Sequence, residues 1–175
     1  MLQALDTEIG RLVNHLRATG DYDQTVVIFL GDNGSARAVI GEPFDNDHAK
    51  GTLSEGGVRA ASFVYYPAAV SGGVVNGSFM TILDILPTFL EIAESEHPGA
   101  GEYKGRQING IRGRSFWPHM TGVSDTVHLP GDTVGWSQGE RGALIRGDYK
   151  IINVPPGRSA EKTVWQLYDI STDPG

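Results

Sequence analysis

Leu2, Leu5, Ile9, Leu12 and Leu16 recur at steps of three and four with polar residues between them, and the run stops at Gly20. That period predicts an amphipathic helix whose apolar stripe packs on another layer. After Asp21 to Gln24 the pattern changes. Thr25 to Leu30 is continuously apolar and β-branched, without polar alternation, as expected of a strand buried on both faces. A helix feeding such a strand predicts an α/β layer built on a parallel sheet. Residues 31 to 57 lose all period because Gly, Pro, Asn and Asp interrupt it, which predicts one long loop of the kind that carries function or stays disordered. Val58 to Tyr66, closed by Pro67, predicts a second strand. Met80 to Ala93 predicts a second helix, with Asp84 near its start and Pro87 in the first turn, where the ring is tolerated. Glu94 to Gly113 is polar and glycine-bearing, and reads as a surface connection.

The texture differs further on. Ala143 to Arg146, Tyr149 to Val154 and Val164 to Ile170 are short strand candidates separated by Gly-Asp and Pro-Pro-Gly-Arg turns, and they predict a small antiparallel sheet. The expected organisation is an α/β part over residues 1–120 and an antiparallel subdomain over 121–175, with the boundary falling within 94–130.

Composition narrows the classes. The chain has 175 residues, enough for one domain with a core, or for part of a larger one. A net charge of −7 and a pI near 5.1 provide no basic field for nucleic acid or an anionic membrane, so neither partner is expected. No apolar stretch reaches bilayer-spanning length. The absence of cysteine removes disulfides, thiolate metal sites and a cysteine nucleophile from these residues. The 24 glycines lie at turns, and no internal repeat is visible.

The candidate chemistry lies in the long loop. Gly31-Asp32-Asn33-Gly34 follows the end of the buried strand, where open α/β sheets place their ligand crevices. A carboxylate and an amide carbonyl are hard oxygen donors suited to Ca²⁺ or Mg²⁺. Asp-Asn-Gly is equally a common turn in which Asx side chains bond their own backbone, and spacing alone favours that turn. Lys50 returns 18 positions later within His48-Ala49-Lys50-Gly51-Thr52-Leu53-Ser54-Glu55-Gly56-Gly57. A loop lysine is a compact point charge for an oxyanion, although most loop lysines are simply solvated. His48 could bond an anion or shuttle a proton, but a single loop histidine is more often incidental. Glu55 and Arg59, four apart, suggest a pair that braces the loop. His15, His97, His119 and His128 have no ligand-like spacing. There is no nucleophile elbow, phosphate loop or dinucleotide fingerprint.

These segments, in this order, resemble the sulfatase family of the alkaline-phosphatase superfold. "LDTEIGRL", "TVVIFLGDNG", "HAKGTLSEGGVR", "ILDILPTFLEIA", "GRSFWPHMTG", "GWSQGERGALIRGDYKII" and "WQLYDISTDPG" carry the likeness across nearly the whole chain. The resemblance implies that Asp32 and Asn33 are ligands of a divalent ion, usually calcium and less often magnesium, and that Lys50 contacts the substrate sulfate and helps protonate the leaving oxygen. It implies a formylglycine nucleophile made from Cys or Ser, a small-molecule sulfate ester as substrate, and a periplasmic or secreted setting. It gives no oligomeric state. His48 adjoins the matched lysine and is taken with Lys50 as a substrate-binding candidate, its role in the family otherwise open.

One departure is large. The C/S-x-P-x-R motif that carries the family nucleophile, and two further acidic ligands, have no counterpart here. The expectation is therefore a C-terminal piece of a sulfatase, inactive by itself, with an apolar strand short of neighbours. The alternatives are a non-catalytic truncated relative, or a phosphodiesterase or phosphonate hydrolase of the same superfold.

Overall fold

The structure is a computed structural model that describes residues 1–44, 48–154 and 164–174. It divides into two compact units. The first contains Met1–Ile28 and Val64–Val127, the second Phe29–Phe63 and His128–Gly175.

In the first unit, α1 spans Leu2–Thr19. It ends where the sequence predicts: Gly20 takes the left-handed conformation at φ 82°, its N–H bonds Arg17 O, and Asp21 N–H reaches back to Leu16 O. The expected packing of its stripe is not found among the described residues. No α1 residue is buried, and Leu2, Leu5 and Leu12 are 83%, 48% and 59% exposed. The amphipathic period forms the helix, but the described residues do not bury its stripe. Beyond a short 3₁₀ turn at Tyr22–Gln24, the Tyr22 and Tyr65 rings stack at 4.8 Å, and the Arg17 guanidinium lies 4.6 Å from the Tyr22 centroid. Hydrogen bonding to Tyr22 pushes the Tyr65 hydroxyl up to about 12.

The predicted second helix is a 3₁₀ turn, Ile82–Asp84, running into α3, Ile85–Ile92. Asp84 is fully buried. Its Oδ2 accepts the Thr81 N–H at 2.6 Å, and its Oδ1 accepts the Arg114 N–H at 2.7 Å. Thr88 Oγ1 donates to Asp84 O at 2.6 Å and accepts from Phe116 N–H at 2.9 Å. The segment before α4, Trp117–Met120, is thus held on α3 by a buried carboxylate whose oxygens are satisfied by backbone. The expected plain connection over 94–113 contains a short hairpin, β3 (Gly101–Tyr103) and β4 (Arg106–Ile108). His119 is structural. Its Nδ1 faces Ser124 O at 2.9 Å and must donate, so Nε2 accepts from Asn76 Nδ2 and Ser78 Oγ, at 2.7 and 2.9 Å.

Strand β1, Val27–Leu30, pairs with β2, Ser62–Tyr65. None of the four β1 residues is buried, so an apolar run read as covered on both faces is partly open. The second unit's sheet is an antiparallel meander, β5 (Thr133–Gln138), β6 (Arg141–Arg146), β7 (Tyr149–Val154) and β8 (Val164–Asp169). The sequence predicts the last three. It misses β5, where Gly135 interrupts the strand pattern. The Pro-Pro-Gly-Arg turn lies outside the described residues. Register pairs Ala143 with Ile152, and both are buried with Ile145, whereas Leu144, Trp165 and Leu167 stay exposed. The buried side packs with Leu53, from the loop, and with half-buried Val58, Trp136 and Tyr168. Among the described residues, no helix is long and apolar enough to cross a membrane.

Candidate functional site

Asp32, Asn33, His48 and Lys50 all belong to the second unit. Gly31 N–H bonds Ala61 O at 2.9 Å, so the turn that carries Asp32 and Asn33 starts where β1 ends. Past the turn, Gly34 N–H bonds Gly57 O at 2.9 Å and Ser35 N–H bonds Gly56 O at 3.1 Å. Lys50 N–H then bonds Ser35 O at 2.8 Å. The two ends of the long loop are thereby laced backbone to backbone.

The lacing depends on missing side chains. A Cβ on Gly34 would lie 2.0 Å from Gly56 O, and one on Gly57 would lie 2.4 Å from Thr52 O. The glycines that break the sequence period are there for close approach of main chains. The lysine loop is also stiffened from within. Thr52 bonds Ala49 O through its N–H at 3.1 Å and its Oγ1 at 2.8 Å, and Ala49 and Leu53 are buried. It ends in the single helical turn α2, Glu55–Val58.

On this frame Asp32 and Lys50 are exposed, while Asn33 and His48 are half-buried. Lys50 is in no ion pair among the described residues. The arrangement presents hard oxygens from one turn and an ammonium from the adjacent loop. Hard oxygens suit a cation, and an ammonium suits an oxyanion.

Glu55 has a different partner from the one expected. Its carboxylate takes Lys150 Nζ at 2.7 Å, while Arg59 meets it only through the backbone, N–H to Glu55 O at 2.8 Å. Lys150 is 2% exposed and Glu55 11%. Burial holds the Lys150 ammonium below its usual pKa, and the hydrogen bond and charge of Glu55 oppose that shift. The bracing role expected of Glu55 survives with a partner 95 positions away. Alternation could have flagged Lys150, since it shares strand parity with buried Ile152. Nothing local could have paired it with Glu55.

The metal expectation meets a definite limit. Among the described residues, no group of three or more His, Asp or Glu is arranged to hold a metal ion. Calcium takes six to eight oxygens. Asp32 and Asn33 supply two hard side-chain donors of suitable chemistry, and they do not make a complete site.

Comparison with known proteins agrees with this reading of the segments. The sulfatase family model matches residues 1–95. An uncharacterized sulfatase of Schizosaccharomyces pombe is 32% identical over the whole chain, which covers 38% of that protein. The N-acetylglucosamine-6-O-sulfatase of Bacteroides thetaiotaomicron is 26% identical over 98% of the chain and 29% of its own length. A solved structure of a protein in complex with its substrate, D-glucosamine-2-N,6-O-disulfate, superposes on 99% of this chain with a TM-score of 0.69 at 22% identity, covering 33% of that protein. The fold is thus a mixed α/β, alkaline-phosphatase-like one. The chain spans about a third of the length of these relatives.

Proposed function

The chain belongs to the sulfatase family, and from that premise we propose that it carries the cation-turn and sulfate-lysine portion of a hydrolase of sulfate esters. Asp32 and Asn33 donate oxygens to a divalent ion, calcium in preference to magnesium, and Lys50 binds the sulfate. The observation that supports this most is the lacing of Gly34, Ser35 and Lys50 to one another and to Gly56 and Gly57, which fixes two oxygen donors and one ammonium on a common frame. A divalent cation held in part by Asp32 and Asn33 would supply Lewis-acid polarisation of the ester and charge stabilisation. Lys50 neutralises sulfate charge and, by reaching the leaving oxygen, supplies a proton to it. The remaining cation ligands and the formylglycine nucleophile belong to residues beyond these 175.

A sulfated sugar is the substrate class in keeping with the relatives. His48, half-buried and two positions before Lys50, is a second candidate to bond the sulfate. The test is a calcium titration of the 175-residue chain followed by calorimetry. Binding in the millimolar range, abolished in D32A and N33A, is expected of an incomplete oxygen set. Unchanged binding in both variants would remove Asp32 and Asn33 from the cation's coordination.

A further inference from the structure

The Glu55–Lys150 pair joins the loop that carries Lys50 to the sheet, with Lys150 2% and Glu55 11% exposed. Lys150 stands in β7 opposite Ile145 of β6 and Tyr168 of β8, in the middle of the sheet's covered face. Its Nζ lies 5.6 Å from the centroid of the Trp136 ring and 2.7 Å from Glu55 Oε1. A lysine at such a place is unfavourable unless its charge is matched, and removing one member leaves the other buried and unmatched. The pair therefore stays together as long as the loop stays on the sheet.

The pair also lines a cavity of about 20 Å³, next to His48 and Tyr168. That is room for a single water molecule and not for a substrate group. Lys150 is itself only 2% exposed, and its hydrogen bond to the loop is made to Glu55. An effect on the site can therefore run through Glu55.

A path for such an effect is present. Glu55 opens α2, and the next two residues, Gly56 and Gly57, offer the carbonyls that hold Ser35 and Gly34. Ser35 in turn accepts the Lys50 N–H. The carboxylate is thus one residue away from the carbonyls that set where the Asp32–Asn33 turn ends. Leu53 and Val58, on either side of α2's start, pack in the same apolar cluster as Ala143 and Ile152. Apolar burial holds the loop down without fixing its register, because it is non-directional. A charged hydrogen bond at 2.7 Å sets a direction.

We propose that Lys150 is a positioning residue for the candidate site, which uses Glu55 as a peg to fix the register of the lysine loop and, through Gly56 and Gly57, of the Asp32–Asn33 turn. The inference rests on the reading that this turn and Lys50 form the ligand site. A structural ion pair that merely added stability would protect the whole unit evenly. A positioning pair acts selectively on the loop.

The experiment is residue-resolved amide hydrogen exchange on the 175-residue chain, with inorganic sulfate titrated in parallel and followed at the Lys50 amide. In E55A and K150M the amides of Gly34, Ser35 and Lys50 are expected to exchange at least about tenfold faster, while Ala143 and Ile145 of β6 keep their protection. E55Q retains an oxygen that accepts from Lys150 and should recover most of the loop protection. Should E55A or K150M fail to fold, E55Q carries the test alone, with loop exchange about threefold faster and the β6 amides unchanged. The sulfate midpoint should weaken in the same order as the loop exchange. Equal acceleration of loop and sheet amides, or no change at the loop, overturns the proposal. Absence of any sulfate response in the wild-type chain, with the selective loop effect intact, overturns the ligand-site reading and leaves the peg standing.

Discussion

Substituting Gly34 by alanine tests the lacing on which the site rests. The added Cβ would meet Gly56 O at 2.0 Å, Gly56 C at 2.7 Å and Gly57 C at 2.8 Å, all of them main-chain atoms. Ordinary contact begins at 3.4 Å, so the two segments must part by about 1.4 Å. That takes the Gly34–Gly57 bond at 2.9 Å and the Ser35–Gly56 bond at 3.1 Å beyond hydrogen-bonding reach, and it pulls Ser35 O from Lys50 N–H. At about 1 kcal/mol net per bond, the three together are worth about 3 kcal/mol. That corresponds to about a hundredfold faster exchange at these amides. Gly41 is the control, since a Cβ there meets nothing within 4 Å. G41A should fall within about 0.5 kcal/mol of wild type. Amide exchange at Gly34, Ser35 and Lys50, with urea melts alongside, reads both variants. If G34A matches G41A, the close approach does not hold the site and the reasoning is wrong.

Further outcomes follow from the ionisable groups and the missing nucleophile. Lys150 has a folded-state pKa below the ordinary 10.5, so the folded state binds fewer protons between those two values and its stability rises with pH there. The stability of wild type relative to K150M should therefore rise with pH on the approach to 10.5 and level off above it; a fall over that range would contradict the burial argument. Tyr65 carries the opposite sign for an acid, since its pKa is raised to about 12 and the associated stabilisation is lost as pH rises through that value. In Y22F the Tyr65 hydroxyl should return towards 10, measured by ultraviolet phenolate absorbance, and an unchanged titration would exclude the Tyr22 bond as the cause. The purified 175-residue chain should show no turnover of 4-nitrophenyl sulfate with or without calcium, and measurable hydrolysis would require a nucleophile within these residues.

Much of this molecule is legible in its sequence because the relevant signals are local. The three- and four-residue steps from Leu2 to Leu16 set α1, and Gly20 stops it where a positive φ is needed. Strands β6, β7 and β8 follow from short β-branched runs between turns. What escapes is what depends on residues far apart. The exposure of the α1 stripe is a property of what covers it, not of its period. Strand β5 hides behind Gly135, a residue that weakens strand propensity but leaves room for Leu144, whose Cδ2 lies 2.7 Å from where its Cβ would be. In the candidate site, Asp32, Asn33 and Lys50 can be picked as candidates from family likeness, residue chemistry alone favouring an Asx turn and a solvated lysine, and the glycines between them mark a close backbone approach. The Lys150 partner of Glu55 cannot, because a lysine within a strand gives no hint of an acid 95 residues away.

The most direct test of the central claim is a titration of the ¹⁵N-labelled chain with inorganic sulfate in the presence of millimolar calcium, following each backbone amide. The account predicts saturable shifts confined to residues 31–35 and 48–51, lost in K50A and retained in K104A, a lysine of the first unit. Shifts that persist in K50A, or that arise only outside these two segments, would contradict the assignment of Lys50 and its neighbouring turn as the sulfate- and cation-binding part of the protein.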